Sequence, residues 1–265
     1  MIKTNLKNYH STNNKKGKMI CALLIGKHNS SSIPGKNYMD ILNRPLVEYP
    51  LLAATNCKLI DKIFVSTDSP NICKIASKYN VEIIDRPSEL AKSETPTEIT
   101  FAHGYNIIKE KIKNIKYLIL MFANSVDVLP KNLEKGIDIL NNDYSLDSVV
   151  SVSEFTMFSP LRARKLNKDN TTEPVLDLKN LGLPNPHERR AMGDIYFIDF
   201  GTMIVRPDRC LEKPLEGALP FRWLGQKQGT IINEFGFDID APWQIAAMKY
   251  WLEKNGFTST SSPYC

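Results

Sequence analysis

Two carboxylates near the end of the chain have the spacing of a divalent-cation site. Asp238 and Asp240 stand two residues apart, where a β pattern gives way to a helical one. Mg²⁺ takes oxygen ligands and is usually held by one or two carboxylates, waters and substrate phosphates. The structural alternative is that Asp240 caps the last helix ahead of Pro242 while Asp238 braces the turn.

A second chemically unusual segment, near the front of the chain, runs from Gly26 to Asn37 and is rich in Gly and Ser. Lys27 and Lys36 bracket it. Successive backbone amides form an anion-binding concavity and lysine adds positive charge, so this loop suits a triphosphate. It matches neither the P-loop nor the Gly-x-Gly-x-x-Gly pattern. A long polar surface turn is the alternative interpretation.

Polar residues follow two more apolar runs. Ser66 and Asp68 come after one of them, and Asp68 either contacts a ligand or braces a loop or helix start. Ala123, Asn124 and Ser125 come after the other, where they either face a ribose or base or form a plain turn.

Short apolar runs alternate with helix-period segments along the chain. The predicted strands cover 20–25, 63–66, 81–84, 117–122, 148–152, 195–198 and 230–237, and the predicted helices cover 45–56, 70–79, 95–111, 132–140 and 242–255. This alternation predicts an α/β fold, a Rossmann-like and mostly parallel sheet with helices on both faces. Such sheets bind ligands beyond the carboxyl ends of their strands, so the segments above should lie at one edge.

The alternation divides the chain of 265 residues into three parts. A Lys/Asn-rich tail covers 1–18, a single domain covers 19–255, and a second tail, expected to be disordered, covers 256–265. Within the domain the alternation of strands and helices stops over 153–192. This stretch is rich in Arg, Asn and Pro, which predicts an insertion.

Composition excludes several classes of protein. The net charge of +5 owes much to lysines of the first 18 residues, and no dense basic face with stacking aromatics is visible, so we expect no nucleic-acid partner. No apolar stretch reaches 18 residues, so we expect no membrane span. Five scattered cysteines without C-x-x-C spacing favour a reducing, cytoplasmic setting.

Five short motifs occur in an order that resembles one enzyme family, the cytidylyltransferases that make CMP-activated sugar acids. The motifs are I-P-G-K-N at 33–37, S-T-D at 66–68, R-P-x-E-L at 86–90, G-x-I-Y at 193–196 and D-I-D at 238–240. The resemblance covers nearly the whole chain from about 19 to 252. It implies a fold of the nucleotide-diphospho-sugar transferase type.

The resemblance also implies an activity: transfer of CMP from CTP to a nonulosonic-type sugar acid, with release of pyrophosphate. Asp238 and Asp240 would bind Mg²⁺, and Lys27 and Lys36 would act with them in catalysis. The residues implied to bind the nucleotide are Gly26, Lys27, Ser30, Ser31, Lys36, Asn37, Ser66, Asp68, Arg86, Ala123, Asn124 and Ser125. Phosphoryl transfer of this kind relies on positioning and charge neutralisation rather than on a covalent nucleophile.

Departures from the family pattern concern the acceptor above all. Lys27 and Ser31 stand where the family has arginine and lysine, and Phe122 stands where sialic acid enzymes carry a glutamine that faces the sugar. Arginine is the natural partner of a carboxylate. The acceptor-binding candidates are therefore Phe122, Arg162, Arg164, Arg189, Arg190 and Tyr196.

These departures leave two alternatives open. One is a CTP-dependent cytidylyltransferase that acts on a non-sugar acid such as a phosphonate, and the other is a catalytically silent nucleotide-binding homologue. The partners expected are CTP and a small acidic acceptor. The family usually dimerises through the segment that corresponds to 153–192, so we also expect a homodimer in which this segment lends residues to the neighbouring site.

Overall fold

The computed structural model of the chain describes residues 17–30 and 32–264. Its strands are β1 (Met19–Gly26), β2 (Asp40–Ile41), β3 (Arg44–Pro45), β4 (Lys62–Thr67), β5 (Glu82–Asp85), β6 (Ile115–Phe122), β7 (Ser148–Glu154), β8 (Arg164–Leu166), β9 (Thr172–Pro174), β10 (Tyr196–Val205) and β11 (Gln228–Asn233). Seven of them form one sheet in the order β11-β7-β10-β6-β1-β4-β5. β2 pairs with β3 and β8 with β9 in two small hairpins.

The large sheet is mostly parallel, as predicted. β1 runs parallel to both β4 and β6, and β11 runs parallel to β7. β10 is antiparallel to its two neighbours, β6 and β7. The insertion leaves β7 and enters β10 at the same edge of the sheet, because Tyr196 at the start of β10 pairs with Glu154 at the end of β7. A strand that re-enters the sheet at that edge has to run antiparallel to its neighbours.

The helices are α1 (Glu48–Asn56), α2 (Pro70–Ala76), α3 (Thr97–Lys111), α4 (Pro130–Asn142), α5 (Pro207–Cys210) and α6 (Pro242–Lys254). Buried residues of α1, α2 and α4 join one hydrophobic cluster with Ala22 and Leu24 of β1, whereas those of α3 join a second cluster with Cys21 and Leu23. Successive side chains of a strand point to opposite faces, so β1 is covered on both sides. Helices on both faces of the sheet were predicted, and this is confirmed.

Two predicted strands have different ends in the structure. The strand predicted over 195–198 continues as β10 to Val205, after a register shift between Ile198 and Met203 and a positive φ of 63° at Phe200. The strand predicted over 230–237 ends at Asn233, and the chain then leaves the sheet. Apolar periodicity does not reveal either irregularity, because both depend on pairing with β7.

The two ends of the chain differ in what can be said of them. The tail predicted over 1–18 lies outside the described residues apart from 17 and 18. The disorder expected for 256–265 is wrong as far as residue 264. Phe257 is buried against Tyr49, and the Tyr264 hydroxyl donates to the carbonyl oxygen of Val128 at 3.2 Å.

The predicted insertion is an irregular segment that carries two 3-10 turns and the exposed β8–β9 hairpin. Within the part of the chain that the structure describes, no helix combines the length and the apolar character that a membrane crossing requires.

Candidate functional site

The loop that follows β1 and the aspartate pair near the end of the chain meet at one edge of the sheet. The Lys36 ammonium donates to Oδ1 of Asp240 at a distance of 2.5 Å, across 204 positions of sequence. The Lys36 side chain is only 9% exposed, whereas that of Asp240 is 60% exposed. The juxtaposition expected from the sequence is therefore present in the structure.

Asp240 does not cap the last helix. The N-cap of α6 is Ala241, and the side-chain oxygen of Gln244 accepts hydrogen bonds from the backbone amides of both Asp240 and Ala241 at 2.6 Å. The capping alternative considered for Asp240 is wrong, because the N-cap is Ala241 and the Asp240 carboxylate accepts from Lys36 rather than from an amide of the helix. The Asp240 carboxylate instead bonds Lys36, which is itself one of the residues that line the neighbouring cleft.

Asp238 is fixed from the end of β6. Asn124 donates through Nδ2 to Oδ2 of Asp238 at 3.0 Å and to the carbonyl oxygen of Ile239 at 3.3 Å, and its own carbonyl accepts from the Ile239 amide. Burial raises the pKa of Asp238 and nearby Asp240 raises it further, while the hydrogen bond from Asn124 opposes them. A bound cation would therefore stabilise the charged form of Asp238, which stands beside a second carboxylate.

The loop after β1 is held by its own side chains. Nδ2 of Asn37 donates to the Lys27 carbonyl oxygen at 2.8 Å, and the Ser30 hydroxyl contacts that of Ser32 at 3.2 Å. Gly26 is required by packing, because a Cβ there would lie 2.7 Å from Cβ of Ala123. Ser31, a predicted nucleotide contact, lies outside the described residues.

Asp68 braces this loop. Its carboxylate accepts from the backbone amide of His28 at 2.8 Å, and the next residue, Ser69, contacts Nδ1 of the same histidine at 3.0 Å. Ser69 also caps α2 by accepting from the amide of Ile72. The bracing alternative for Asp68 is the contact that the structure contains.

Arg86 is a buried cation beside the cleft. Its Nη2 donates to the Ser66 carbonyl oxygen at 2.5 Å, and its Nε donates to the Ser66 hydroxyl at 3.4 Å. Burial lowers the pKa of Arg86 to about 10, and Asp68 partly opposes that shift. At neutral pH Arg86 therefore remains charged and faces the same opening as Lys36.

One cleft gathers many of the predicted residues. Among the predicted nucleotide, catalytic and acceptor residues, those that line it are Gly26, Lys27, Ser30, Lys36, Asn37, Arg86, Phe122 and Asn124. Ser66, Ala123 and Ser125 are buried behind it instead. Their expected direct contact with a nucleotide does not fit that placement, because a strand end turns only some of its side chains toward the opening.

A group of cleft residues was missed from the sequence. These are Leu90, Lys92, Ser93, Thr95, Thr97 and Thr100, which lead into and begin α3. The sequence pattern of this stretch predicts a helix and gives no direct sign of ligand contacts. The available sign was position: α3 begins shortly after the end of β5, where parallel sheets of this kind bind ligands.

Five acceptor-binding candidates do not line the cleft of a single chain. Arg162, Arg164, Arg189 and Tyr196 are exposed, and Arg190 forms ion pairs with Glu154 and Asp194. Phe122 does line the cleft, with ring contacts to Phe101, Phe200 and Trp223. The arginines lie in or beside the insertion, whose position in the fold could not be read from the sequence.

The chain is similar to cytidylyltransferases over a part of this site. The family model described as "Cytidylyltransferase" matches residues 22–111, which include the loop after β1 and Arg86. The match covers about a third of the chain and shows its similarity to cytidylyltransferases there. The relatives found within that family are named for sugar acids.

Two curated cytidylyltransferases illustrate the similarity. The bifunctional "Pseudaminic acid cytidylyltransferase and UDP-2,4-diacetamido-2,4,6-trideoxy-beta-L-altropyranose hydrolase" of Helicobacter pylori is 28% identical over 168 residues, which are 60% of this chain and 32% of that protein. The N-acylneuraminate cytidylyltransferase of Oncorhynchus mykiss is 24% identical over 232 residues, which are 87% of this chain and 50% of that protein. The chain thus spans half or less of the length of these relatives.

Solved structures show the same fold. A CMP:2-keto-3-deoxy-manno-octonic acid synthetase complexed with CTP has a TM-score of 0.62 at 15% identity, covering 89% of this chain and 99% of that one. The 4-diphosphocytidyl-2C-methyl-D-erythritol synthase of Anaerococcus prevotii has a TM-score of 0.59 at 16% identity, covering 90% and 97%. Both show that this chain shares the fold of these two enzymes.

Proposed function

We propose that this protein transfers CMP from CTP to a small sugar acid of the nonulosonic type and releases pyrophosphate. The observation that carries the proposal is that Lys36 and Asn124, which line the cleft bordered by the loop after β1, bond Asp240 and Asp238 respectively. The relatives named for pseudaminic and N-acylneuraminic acids support a sugar acid as the acceptor.

The loop after β1 and its lysines would bind the triphosphate of CTP. Lys27, Ser30 and Lys36 line the cleft, where they would neutralise and hydrogen-bond the CTP phosphates. The buried Arg86 and the hydroxyls of Thr95 and Thr97 border the same cleft and would contact the cytidine portion.

The aspartate pair has the donor chemistry for Mg²⁺. Asn124 engages one oxygen of Asp238 and Lys36 one oxygen of Asp240, so each carboxylate keeps an oxygen for a cation. The described residues contain no cluster of three or more acidic, His or Cys ligands, and a site with two carboxylates would be completed by phosphates and water. When bound, Mg²⁺ would neutralise charge on the phosphates.

The reaction balances without a covalent enzyme intermediate. An acceptor hydroxyl oxygen bonds to the α-phosphorus of CTP and loses its proton, while the bond from that phosphorus to the β-phosphate oxygen breaks and pyrophosphate leaves with the bonding pair. The buried cations would hold the phosphates in line for this displacement, which is the main requirement of phosphoryl transfer.

We further propose a homodimer in which the segment 153–192 contributes to the contact. The exposed apolar side chains of Met157, Phe158, Phe197 and Trp243 surround a shallow apolar pocket, next in sequence to the aspartate pair. Exposed apolar patches of this kind mark interaction surfaces. Light scattering on the purified chain tests this expectation, and a monomeric mass across the micromolar range would contradict it.

Pyrophosphate release is the direct test of the activity. CTP, GTP, UTP and ATP would each be offered with a panel of nonulosonic acids, Kdo and phosphonates, in the presence of Mg²⁺. We expect release with CTP and a nonulosonic acid. If pyrophosphate is released only with a phosphonate, the acceptor is a phosphonate and not a sugar acid. If CTP binds but no combination of nucleotide and acceptor releases pyrophosphate, the protein is the catalytically silent homologue.

Variants assign the activity to the site. Asp238→Asn and Asp240→Asn should each abolish turnover and leave the thermal unfolding midpoint close to that of the unaltered protein. Asp169→Asn, in an exposed turn of the insertion, is the matched control and should keep full activity. Near-normal rates in both site variants would remove the aspartate pair from the mechanism.

A further inference from the structure

A second carboxylate site lies behind the cleft and is not used by the proposed reaction. Asp127 follows the end of β6 by five residues and is 1% exposed. Neither of its carboxylate oxygens has a hydrogen-bond partner among the described residues. Leaving a buried carboxylate without any partner is costly, so this position needs an explanation.

Two glycines enclose the Asp127 carboxylate. A Cβ on Gly236 would lie 2.0 Å from Oδ2 of Asp127, and a Cβ on Gly201 would lie 2.8 Å from the same oxygen. The backbone therefore approaches the carboxylate from two separate segments, and only glycine permits that approach. Gly236 precedes Asp238 by two residues, so this enclosure adjoins the strand end that carries the aspartate pair.

Two further oxygens in this neighbourhood have no partner either. The hydroxyl oxygens of Ser125, 0% exposed, and Thr202, 1% exposed, make no hydrogen bond with the described residues. Ser125 is two residues before Asp127, and Thr202 directly follows Gly201, which touches Asp127. The loop after β6 and the adjoining segment of β10 thus contain four buried oxygens without hydrogen-bond partners among the described residues.

The nearby Asp199 is already satisfied and does not compete for a ligand. It accepts from the hydroxyls of Ser151 and Ser153, from Nδ2 of Asn233 and from the Gly201 amide. Burial raises the pKa of Asp127, and Asp199 raises it further. No ion pair in the described chain joins a lysine, arginine or histidine to Asp127.

We propose that Asp127, with the hydroxyls of Ser125 and Thr202, binds a buried monovalent alkali cation that is distinct from the Mg²⁺ of the aspartate pair. One free carboxylate among neutral oxygens balances a single positive charge. Divalent cations usually demand more carboxylates or several retained waters, for which an enclosure closed by two glycines leaves little room.

The cation would tie three segments of the site together. Asp127 belongs to the loop whose Asn124 orients Asp238, Gly201 belongs to the bulge of β10, and Gly236 leads into the aspartate pair. Protonation of Asp127 is the competing way to remove its charge. It would leave a buried O–H donor without an acceptor and the two hydroxyls unsatisfied, so the cation accounts for more of the observations.

Thermal unfolding in different salts tests the proposal without CTP or Mg²⁺. The protein would be dialysed against EDTA and unfolded in choline, sodium and potassium chloride at equal ionic strength. We expect the midpoint in at least one alkali salt to exceed that in choline by roughly 5 to 10 °C at saturation, with a saturable dependence on the cation. Equal midpoints in the three salts would overturn the proposal.

Two variants locate the effect. Asp127→Asn should lose the alkali-dependent shift, whereas Asp238→Asn and the exposed control Asp169→Asn should keep it. A shift that persists in Asp127→Asn would contradict the assignment, and salt-independent stabilisation by that variant would show a protonated acid instead.

If Asp127→Asn does not fold, the unaltered protein still decides. Protein-dependent broadening of the ²³Na resonance, reversed by K⁺ or Tl⁺ and insensitive to EDTA, is the expected result. No broadening, together with equal midpoints, would overturn the site. Since neither measurement involves turnover, failure here would leave the proposed CMP transfer untouched, and failure of that activity would not affect this test.

Discussion

Lys36 shows how burial changes what a single charge can do. Its ammonium lies 2.5 Å from Asp240 and its side chain is 9% exposed, so solvent screens it far less than it screens a surface lysine. A charge in such a place interacts strongly with a triphosphate that enters the same cleft. Sequence spacing from Asp240 gives no hint of this contact, but the position of each residue at a strand end does.

Replacing Lys36 with Met should lower kcat/KM for CTP by roughly 100- to 1,000-fold, the range seen when one preorganised charge-stabilising group is removed. The methylene stem is kept, so packing changes little. Pyrophosphate release measures the effect. Lys62→Met is the control, because Lys62 is an exposed lysine of β4 that pairs with Glu82. Equal losses in the two variants would contradict a specific role for Lys36.

Asn124 acts through Asp238. We expect Asn124→Ala to raise the Mg²⁺ concentration for half-maximal rate by roughly 10- to 100-fold, because partners that orient a ligating carboxylate typically contribute that much. The maximal rate at saturating Mg²⁺ should fall less. Asn142→Ala, which removes an exposed amide bonded within α4, is the control. An unchanged Mg²⁺ requirement would mean that Asn124 does not orient Asp238 for the metal.

At the scale of elements, the sequence predicted the edge of the sheet better than the contents of the site. Alternating apolar runs located β1, β4 and β6, so Lys36, Asn124 and Asp238 could be expected at one edge. The contacts around each of these residues are made by segments that are distant in the sequence. The enclosure of Asp127 by Gly201 and Gly236 has no local sequence signature.

The close contact between the end of β1 and the end of β6 can be tested by substitution. Gly26→Ala should place its Cβ 2.7 Å from Cβ of Ala123 and 2.9 Å from Cδ1 of Ile72. We expect a loss of about 1–3 kcal/mol in the free energy of unfolding and weaker CTP binding, because the loop after β1 is displaced. Chemical denaturation and equilibrium CTP titration measure the two effects.

Adding Ala123→Gly supplies the matched control for that junction. It removes the facing methyl group, so the double variant should recover a part of the stability lost by Gly26→Ala, and the interaction energy of the cycle should be favourable. Strictly additive losses would show that the two strand ends do not press on each other.

At the scale of the whole molecule, the cations among the described residues that line the cleft of one chain are Lys27, Lys36, Lys92 and Arg86, so a single arginine is among them. Arg86 is the arginine that lines it among the described residues, and Arg86 is already bonded to Ser66. The exposed Arg162, Arg164 and Arg189 lie elsewhere on the same chain. A sugar acid carries a carboxylate that arginine binds well, which favours arginines that reach the cleft from a second copy.

Mixing two inactive variants tests that arrangement. One variant carries Asp238→Asn, and the other carries Arg162→Ala, Arg164→Ala and Arg189→Ala together. If the arginines act across the dimer, a mixed dimer has one complete site, formed by the aspartates of the arginine-deficient chain and the arginines of the other. Random exchange in an equal mixture should then restore about a quarter of the original activity, since half of the dimers are mixed and each has one working site of two. Arginines that act within their own chain would leave each mixed dimer without a site that has both groups, and the mixture would stay inactive although light scattering shows dimers.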